Sequence, residues 1–327
     1  MTAAPAKRFD VVALGELVID LIPVGRDDDE PLYAARPGGA PGNVAAGIAR
    51  LGLRAAMLSK VGREPFGDLA TGALTATGVD TGSVRRAGVE TTALAVVALD
   101  EKGDRDFTLY RANCADASYA SEEVDDRVIR ASRLLHVGSL ALATPVSTAA
   151  QRHAIAVARE VGAIVSADPN LRPAVWADKT AMIAAGREAV ASADIVKLSR
   201  DELGMLSGIG DAADGVRQLW HPSLTVMAVT DGERGAMIHT EDWSVAVDGH
   251  AVEVVDTVGC GDAFMASLLA GLLSADLGGF DRAAMAGIGR RACAAGAVIA
   301  TRAGAMSRMP RPDEIDRMIA TPKVEAI

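Results

Sequence analysis

The stretch VVDTVGCGDAFMASLLAGLL, residues 254–273, sets glycines and two aspartates directly in front of an apolar run. Phe264, Leu268, Leu269 and Leu272 recur at helical spacing, so the residues after Gly261 read as an amphipathic helix packed on a core. The first turn of such a helix carries backbone N–H groups without an intrahelical acceptor, at the positive end of the helix dipole. Gly259 and Gly261 let an anion approach that backbone closely, with the acid Asp262 beside it. A lone G-x-G-D is explained as readily by a capped helix after a turn. The decision therefore rests on the remainder of the chain.

With 327 residues, the chain can bury a sizeable core in one large α/β domain or two smaller ones. A formal net charge of −10 speaks against a sequence-independent nucleic-acid binder, which needs a clustered basic surface. Cys114, Cys260 and Cys293 are too few and too scattered for a disulfide framework, and no C-x-x-C pair suggests structural zinc. A reducing cytoplasm fits that usage. The N-terminal MTAAPAKRFD lacks an apolar signal core, and no uninterrupted apolar run reaches about 18 residues, so neither export nor membrane insertion is expected.

Strand-type runs alternate with helical patterns along most of the chain, which predicts a mostly parallel sheet covered by helices. The candidate strands are residues 9–15, 55–60, 133–138, 163–168, 194–199 and 224–230. Residues 92–111 differ: two strand-like runs flank Asp100–Asp104, with Gly103 available for a hairpin turn. Paired with LVIDLIP (17–23), they would form a small sheet outside the main one, the place to expect a lid. The acidic DDDE (27–30) reads as a solvated loop. Ligands in open α/β sheets collect beyond the carboxyl ends of the strands. There stand GSL, DPNLRP, KLSRDE and TDGERGA, and together with GCGD they favour a shared site over a series of unrelated capped loops.

No Gly-Lys dipeptide exists, so there is no Walker A loop, and the first strand runs into GELVID rather than G-x-G-x-x-G. No H-E-x-x-H or G-x-S-x-G is present either. Near the N-terminus, PGGAPGNVAAGIARLG (37–52) places Gly38 and Gly39 before a helix that Asn43 begins and Gly52 stops.

These two glycine-rich segments resemble the two signature patterns of the PfkB (ribokinase-like) family of carbohydrate kinases, and the resemblance runs over roughly residues 9–310. GELVIDLIP, VGREPFG, FTLYR and DPNLRPAVW are most similar to the fructokinases of bacteria and plants within it. The resemblance implies a ribokinase-like α/β fold, with a mostly parallel central sheet between helices and a small β lid from about 17–36 and 92–115. It implies one kinase domain over 1–327, ATP as donor, Mg2+, in many members K+, a primary sugar hydroxyl as acceptor, and a homodimer through the lid strands.

Residue by residue, it makes Asp262 the base and the amides of Gly259, Cys260 and Gly261 an anion hole. A carboxylate at a helix N-terminus is expected to be ionised near neutral pH; Cys260, in a slot that is often alanine in the family, contributes its amide, and the reactivity of its thiol beside a helix N-terminus stays open. For the sugar it points to Asp20, Gly39, Asn43, Arg111, Asn170 and Arg172. For the nucleotide it points to Lys197, Ser199, Glu202, Thr230, Gly232 and Gly235, with Glu202 also associated with magnesium through water. Ser199 stands where the family commonly has asparagine. A monovalent cation would use Asp256 and carbonyls near Val258 and Gly304, although Arg308 replaces a small polar ligand of some relatives. Two alternatives stay open: a kinase of 2-keto-3-deoxygluconate or 5-keto-2-deoxygluconate, whose carboxylate Arg111 and Arg172 could receive, and a non-catalytic sugar or nucleotide sensor.

Overall fold

The computed structural model describes residues 7–28, 30–99, 105–275 and 280–321. Its strands are β1 (Phe9–Leu14), β2 (Val18–Asp27), β3 (Glu30–Gly38), β4 (Ala55–Val61), β5 (Val84–Arg86), β6 (Ala93–Leu99), β7 (Arg105–Tyr110), β8 (Ser132–Gly138), β9 (Ile164–Asp168), β10 (Ile195–Ser199), β11 (Val226–Thr230), β12 (Ala236–His239) and β13 (Ser244–Val247). Nine of them form the main sheet in the order β13-β12-β11-β10-β9-β8-β1-β4-β5, parallel from β11 to β5 and closed at one edge by the antiparallel β12 and β13. β1 is buried along its whole length, as a parallel strand covered on both faces must be. The six strands expected of the main sheet are all present within two residues of their bounds. Short β5, β12 and β13 were not anticipated, because three- and four-residue runs carry too little periodicity to read.

The small sheet has the order β3-β2-β6-β7, with β2 antiparallel to β3 and parallel to β6. It is drawn from the two segments expected to supply a lid. Of the acidic DDDE, Asp27 and Glu30 pair across the end of the β2–β3 hairpin, and Asp28 takes a positive φ of 48°. The hairpin turn expected at Asp100–Asp104 lies outside the described residues.

Chain order reverses at β1: the chain proceeds to β4 and β5 on one side and returns through β8 on the other. A crevice opens at such a switch point, beyond the carboxyl ends of the strands. Two helices deliver their N-termini to it. The helix Ala40–Arg50 starts at the Gly39 cap, three residues before the expected Asn43, because Pro41 is preorganised for a first turn and needs no amide there. Gly52, with φ 89°, follows its Leu51 cap as expected.

The helix Cys260–Ser274 is not amphipathic; it is buried around nearly its whole circumference, from Asp262 to Leu273. On one side Gly47 of the first helix meets Ala266, and on another Gly271 meets Ile288 of the helix Arg282–Ala300. That last helix is long and apolar enough to cross a membrane by composition alone, but most of it is buried against its neighbours and Arg290 and Arg291 interrupt it. It is a core helix.

The crossing of the two N-terminally directed helices depends on Gly47, where an added Cβ would stand 2.6 Å from that of Ala266. Gly47→Val is expected to separate the helices and destabilise the protein by about 1–3 kcal/mol, read as a lower urea midpoint at unchanged slope. An unaltered midpoint would show that the helices do not need this contact.

Candidate active site

Two cavities lie in the crevice and share a wall. One, of about 500 Å³, sits at the switch point and is lined by Glu16, Asp20, Gly39, Asn43 and Asp262, with Ala95 and Leu109 contributed by the small sheet. The other, of about 540 Å³, extends over the ends of β10 and β11 and is lined by Ser199, Glu202, Thr230, Gly232 and Gly235. Asn170, Arg172, Lys197, Thr257 and Gly261 border both. The start of the helix Cys260–Ser274 is thus the partition.

At that partition Gly259 caps the helix in the left-handed region, and the first intrahelical bond runs from the Ala263 amide to the Gly259 carbonyl at 2.8 Å. The Cys260 amide turns back to the Thr257 carbonyl at 3.3 Å. The amides of Gly261 and Asp262 therefore remain as outward donors of the first turn. The Lys197 ammonium stands 2.8 Å from where a Cβ on Gly261 would lie, so the glycine lets a buried cation sit against the helix mouth. Lys197 donates to Asp168 at 2.9 Å. Burial works against its charge, but Asp168, Glu202 and Asp262 outweigh burial and hold the ammonium above its ordinary value. Burial pushes Asp168 up to about 6, against the pull of Lys197.

Asp262, 6% exposed, accepts a 2.7 Å hydrogen bond from Asn43 Nδ2. Burial raises its carboxyl above the ordinary range, opposed by Asn43, Lys197 and Arg172. The expectation of an ordinary helix-terminal carboxylate, and hence of a weak base, is corrected: enclosure increases its proton affinity more than the helix end and its partners reduce it. The open question of whether the Cys260 thiol is reactive is answered by its enclosure. Burial, then the charges of Asp262 and Asp256, push that thiol up to about 12, leaving it protonated.

On the first cavity, Asp20 is raised to about 6 by burial, with Arg172 pulling it down and Asp256 and Asp262 pushing it up. Gly39 and Asn43 line this wall as expected, and Asn170 and Arg172 stand at its boundary with the second cavity. Arg111 does not line it. Its guanidinium is buried and donates to Asp116 at 2.6 Å, because a cation at the inner end of β7 needs a counter-charge on leaving water. Glu16, in the quoted GELVID but given no role, lines the cavity instead. The Ala40 amide donates to its Oε1 at 3.1 Å, and burial, reinforced by Asp116, pushes it up to about 7.

On the second cavity, Ser199 and Glu202 form a reciprocal cap: the Glu202 amide donates to the serine hydroxyl, and the Ser199 amide donates to Glu202 Oε2 at 2.8 Å. The S-x-x-E spacing carried that signal in the sequence. The other oxygen, Oε1, accepts from the Leu171 amide at 2.7 Å, which fastens the loop presenting Asn170 and Arg172. Glu202 is therefore a tie between two loops, with only its remaining lone pairs open to a metal's water. Among the described residues no group of three His, Cys, Asp or Glu is arranged to hold a metal ion. Asp256 accepts from the amides of Val258, at 3.0 Å, and Gly304, at 3.3 Å, so the expected cation loop is held together by its carboxylate. Arg36 of β3 stands against Gly304.

The far wall of the second cavity was not recognised from the sequence. Met205, Val252, Val254 and Phe264 give it apolar area, and Cys293, Gly296, Ala297 and Ala300 line it from the helix Arg282–Ala300. Those four small residues recur at helical spacing, which puts them on one helix face, although the spacing alone does not say what that face meets.

Residues 8–312 match the pattern of the pfkB family carbohydrate kinases. The chain belongs to this family. Fructokinase-2 of Solanum habrochaites is 35% identical over 308 residues, covering 93% of this chain and 94% of that protein. The fructokinase of Xylella fastidiosa with bound ATP shares the fold with a TM-score of 0.88 at 30% identity, covering 95% of this chain and 98% of that one. The fructokinase of Vibrio cholerae O395 in its fructose, ADP and calcium ion bound form gives 0.84 at 34% identity, covering 95% and 99%.

In this pfkB kinase the buried Glu16 has a pH signature. Its folded value of about 7 lies above the ordinary 4.5, so its contribution to stability is present below the unfolded value and is lost as pH rises through about 7. Glu16→Gln is therefore expected to gain stability relative to the parent between about pH 5 and about pH 8, measured by urea unfolding of the unliganded protein. A difference that is constant across this window would reject the assignment.

Proposed function

We propose that this pfkB kinase is a fructokinase, transferring the γ-phosphoryl group of ATP to a primary hydroxyl of fructose. The observation that carries this reading is the position of Asp262: a buried carboxylate facing the first cavity, one residue from the Gly261 amide that borders both. A sugar in the first cavity would bring a hydroxyl to Asp262, and a triphosphate in the second would lay its terminal group on the helix mouth and Lys197. Asp262 would take the hydroxyl proton as the oxygen attacks. The amides of Gly261 and Asp262, with Lys197, would receive the charge of the transferring group. A divalent ion, magnesium in this reading, would come with the triphosphate, held mainly by phosphate oxygens and water as Mg2+ usually is. Glu202 would meet its water shell, and the loop of Asp256, Val258 and Gly304 would take potassium.

Cavity charge favours a neutral ketose over a sugar acid. Glu16, Asp20 and Asp262 line the first cavity, against Lys197, already paired with Asp168, and Arg172 on the rim. Arg111, the other arginine a sugar carboxylate could have used, is taken by Asp116. A carboxylate substrate would meet net repulsion there, whereas hydroxyls can donate to every one of these acids. A sensor would have no use for a base with raised proton affinity. The structural neighbours named above, one with ATP and one with fructose and ADP bound, support a sugar and a nucleotide as the two ligands.

The chain, residues 1–327, would act as one cytoplasmic kinase unit, and we propose a homodimer joined through the small sheet. Val24, Leu32 and Tyr33 are about half exposed on β2 and β3, at 55%, 45% and 46%, more apolar area than a lid edge retains alone.

ADP release with fructose, ribose, 2-keto-3-deoxygluconate and 5-keto-2-deoxygluconate as acceptors is expected to be fastest with fructose. Asp262→Asn should bind ATP and fructose but lose about 10²- to 10⁴-fold in kcat. Preference for a keto-acid, or near-parent turnover in the variant, would overturn this reading. Light scattering should give twice the chain mass, and Leu32→Asp with Tyr33→Asp the single mass; a monomeric parent would remove the dimer.

A further inference from the structure

Three acids line the first cavity, and they are not equally provided for. Asp262 accepts from Asn43 at 2.7 Å, and Asp20 keeps partial access to solvent. Glu16 is 7% exposed. Its Oε1 accepts from the Ala40 amide at 3.1 Å, while its Oε2 is buried and has no hydrogen-bond partner among the described residues. Buried polar atoms in folded proteins are almost always paired, and a carboxyl oxygen left without a donor is costly. On the same wall Asn43 spends its Nδ2 on Asp262, and its Oδ1 is likewise buried without a partner among the described residues. A cavity with two such acceptors is matched to a ligand that brings O–H groups.

The backbone holds Glu16 in place. Gly15, just before it, is fastened to β4: its amide donates to the Leu58 carbonyl at 3.2 Å, and its carbonyl accepts from the Ser59 hydroxyl at 2.7 Å. On the other side Gly39, at φ 107°, lies so near that an added Cβ would stand 2.4 Å from the Glu16 carbonyl oxygen. Pinned between the end of β4 and the start of the helix Ala40–Arg50, the residue has little room to carry its free oxygen out to solvent. The unmet acceptor is thus a preset feature of the cavity wall.

We propose that Glu16 is a specificity-determining residue for the acceptor: its Oε2 receives an O–H of the sugar other than the one that is phosphorylated. The proposal rests on the fructokinase reading above and divides the labour among the acids. The reacting hydroxyl belongs to Asp262, next to Gly261 on the partition, whereas Glu16 follows β1 and lines the first cavity alone. A hydroxyl held there is a handle and not the nucleophile. The other oxygen of the same carboxyl holds the first turn of the helix that carries Asn43, which in turn holds Asp262. A wall built around a buried acceptor rejects an analogue lacking the matching hydroxyl far more strongly than an apolar wall rejects the loss of a methylene.

The test is steady-state kinetics of the full-length protein at saturating ATP with fructose, 1-deoxyfructose, 3-deoxyfructose, 4-deoxyfructose and 2,5-anhydromannitol, each of which keeps a primary hydroxyl. In the parent, one analogue is expected to lose about 10²-fold or more in kcat/KM. Glu16→Leu should bring fructose down to that analogue's level, chiefly through KM, and leave the analogue itself within about two-fold of its value with the parent. Glu16→Gln, which keeps an oxygen for the Ala40 amide, should show the same selectivity at smaller amplitude, and it decides the matter if the leucine variant does not fold. A purely structural role, through the bond to Ala40, would instead lower every acceptor by one common factor. That result, or a fructose KM within about two-fold of the parent in the folded variants, would overturn the proposal. If the parent itself prefers another acceptor, the fructose reading falls and Glu16 is judged on that acceptor: a raised KM in the variants upholds its role, and an unchanged KM overturns it.

Discussion

The arrangement depends on a helix that has only its ends to offer. Residues Cys260–Ser274 are enclosed by the first helix, by the helix Arg282–Ala300 and by the sheet, so no solvent screens the dipole along the barrel and the charge is expressed at the mouth. Burying that mouth would be costly unless something occupies it. In the protein alone, the Lys197 ammonium presses on Gly261 from one side and the Asp262 carboxylate follows on the other, held by Asn43. Cation, peptide donors and carboxylate are thus fixed within a few bonds of one another before any ligand arrives, the preorganisation that phosphoryl transfer rewards.

Fixing such charges requires counterweights, and these explain residues whose roles were misjudged or overlooked. Lys197 can stay charged in the interior only with Asp168 against it. Glu202 spends both oxygens on backbone amides of two loops, so the carboxylate expected at a metal is first a fastener. Arg111 is turned inward by Asp116, and in its place Glu16 enters the first cavity, its acid raised by enclosure. The first cavity is consequently rich in hydrogen-bond acceptors and poor in free cations, a character set as much by where Arg111 points as by which acids are present.

Much of this was legible in the sequence. Backbone-led features announced themselves: the two glycine-rich helix starts, the strands buried on both faces and the polar clusters at their carboxyl ends depend on local spacing, which the chain writes directly. Features decided by tertiary partners did not. Asn43 read as a sugar contact, while its amide nitrogen holds Asp262, a residue 219 positions away. The small face of Cys293, Gly296, Ala297 and Ala300 had the right period, but small residues on a helix look the same whether they face a ligand or a neighbouring helix. The rise in proton affinity of Asp262, and the answer to the open question of the Cys260 thiol, were not legible because proximity to a helix end is local, whereas enclosure is a property of the whole fold.

Division of labour between the two sheets follows from the same contrast. The parallel sheet is continuous with the core, so groups at its carboxyl ends, Asp168 and Lys197 among them, are fixed by buried backbone pairing. β2 and β6 pair in parallel with each other but join no strand of that sheet, and β2 still delivers Asp20 to the same cavity as Asp262. Asp20 on the small sheet and Asp262 at the start of the helix Cys260–Ser274, whose charge raises the proton affinity of Asp20, are therefore carried on separately supported elements. Any displacement of the small sheet changes their separation and with it the basicity of Asp20, since Coulomb repulsion in a low-dielectric cavity falls with distance. A ligand hydroxyl placed between the two acids would offer each a donor and so offset their repulsion, which ties the small sheet's position to what fills the first cavity.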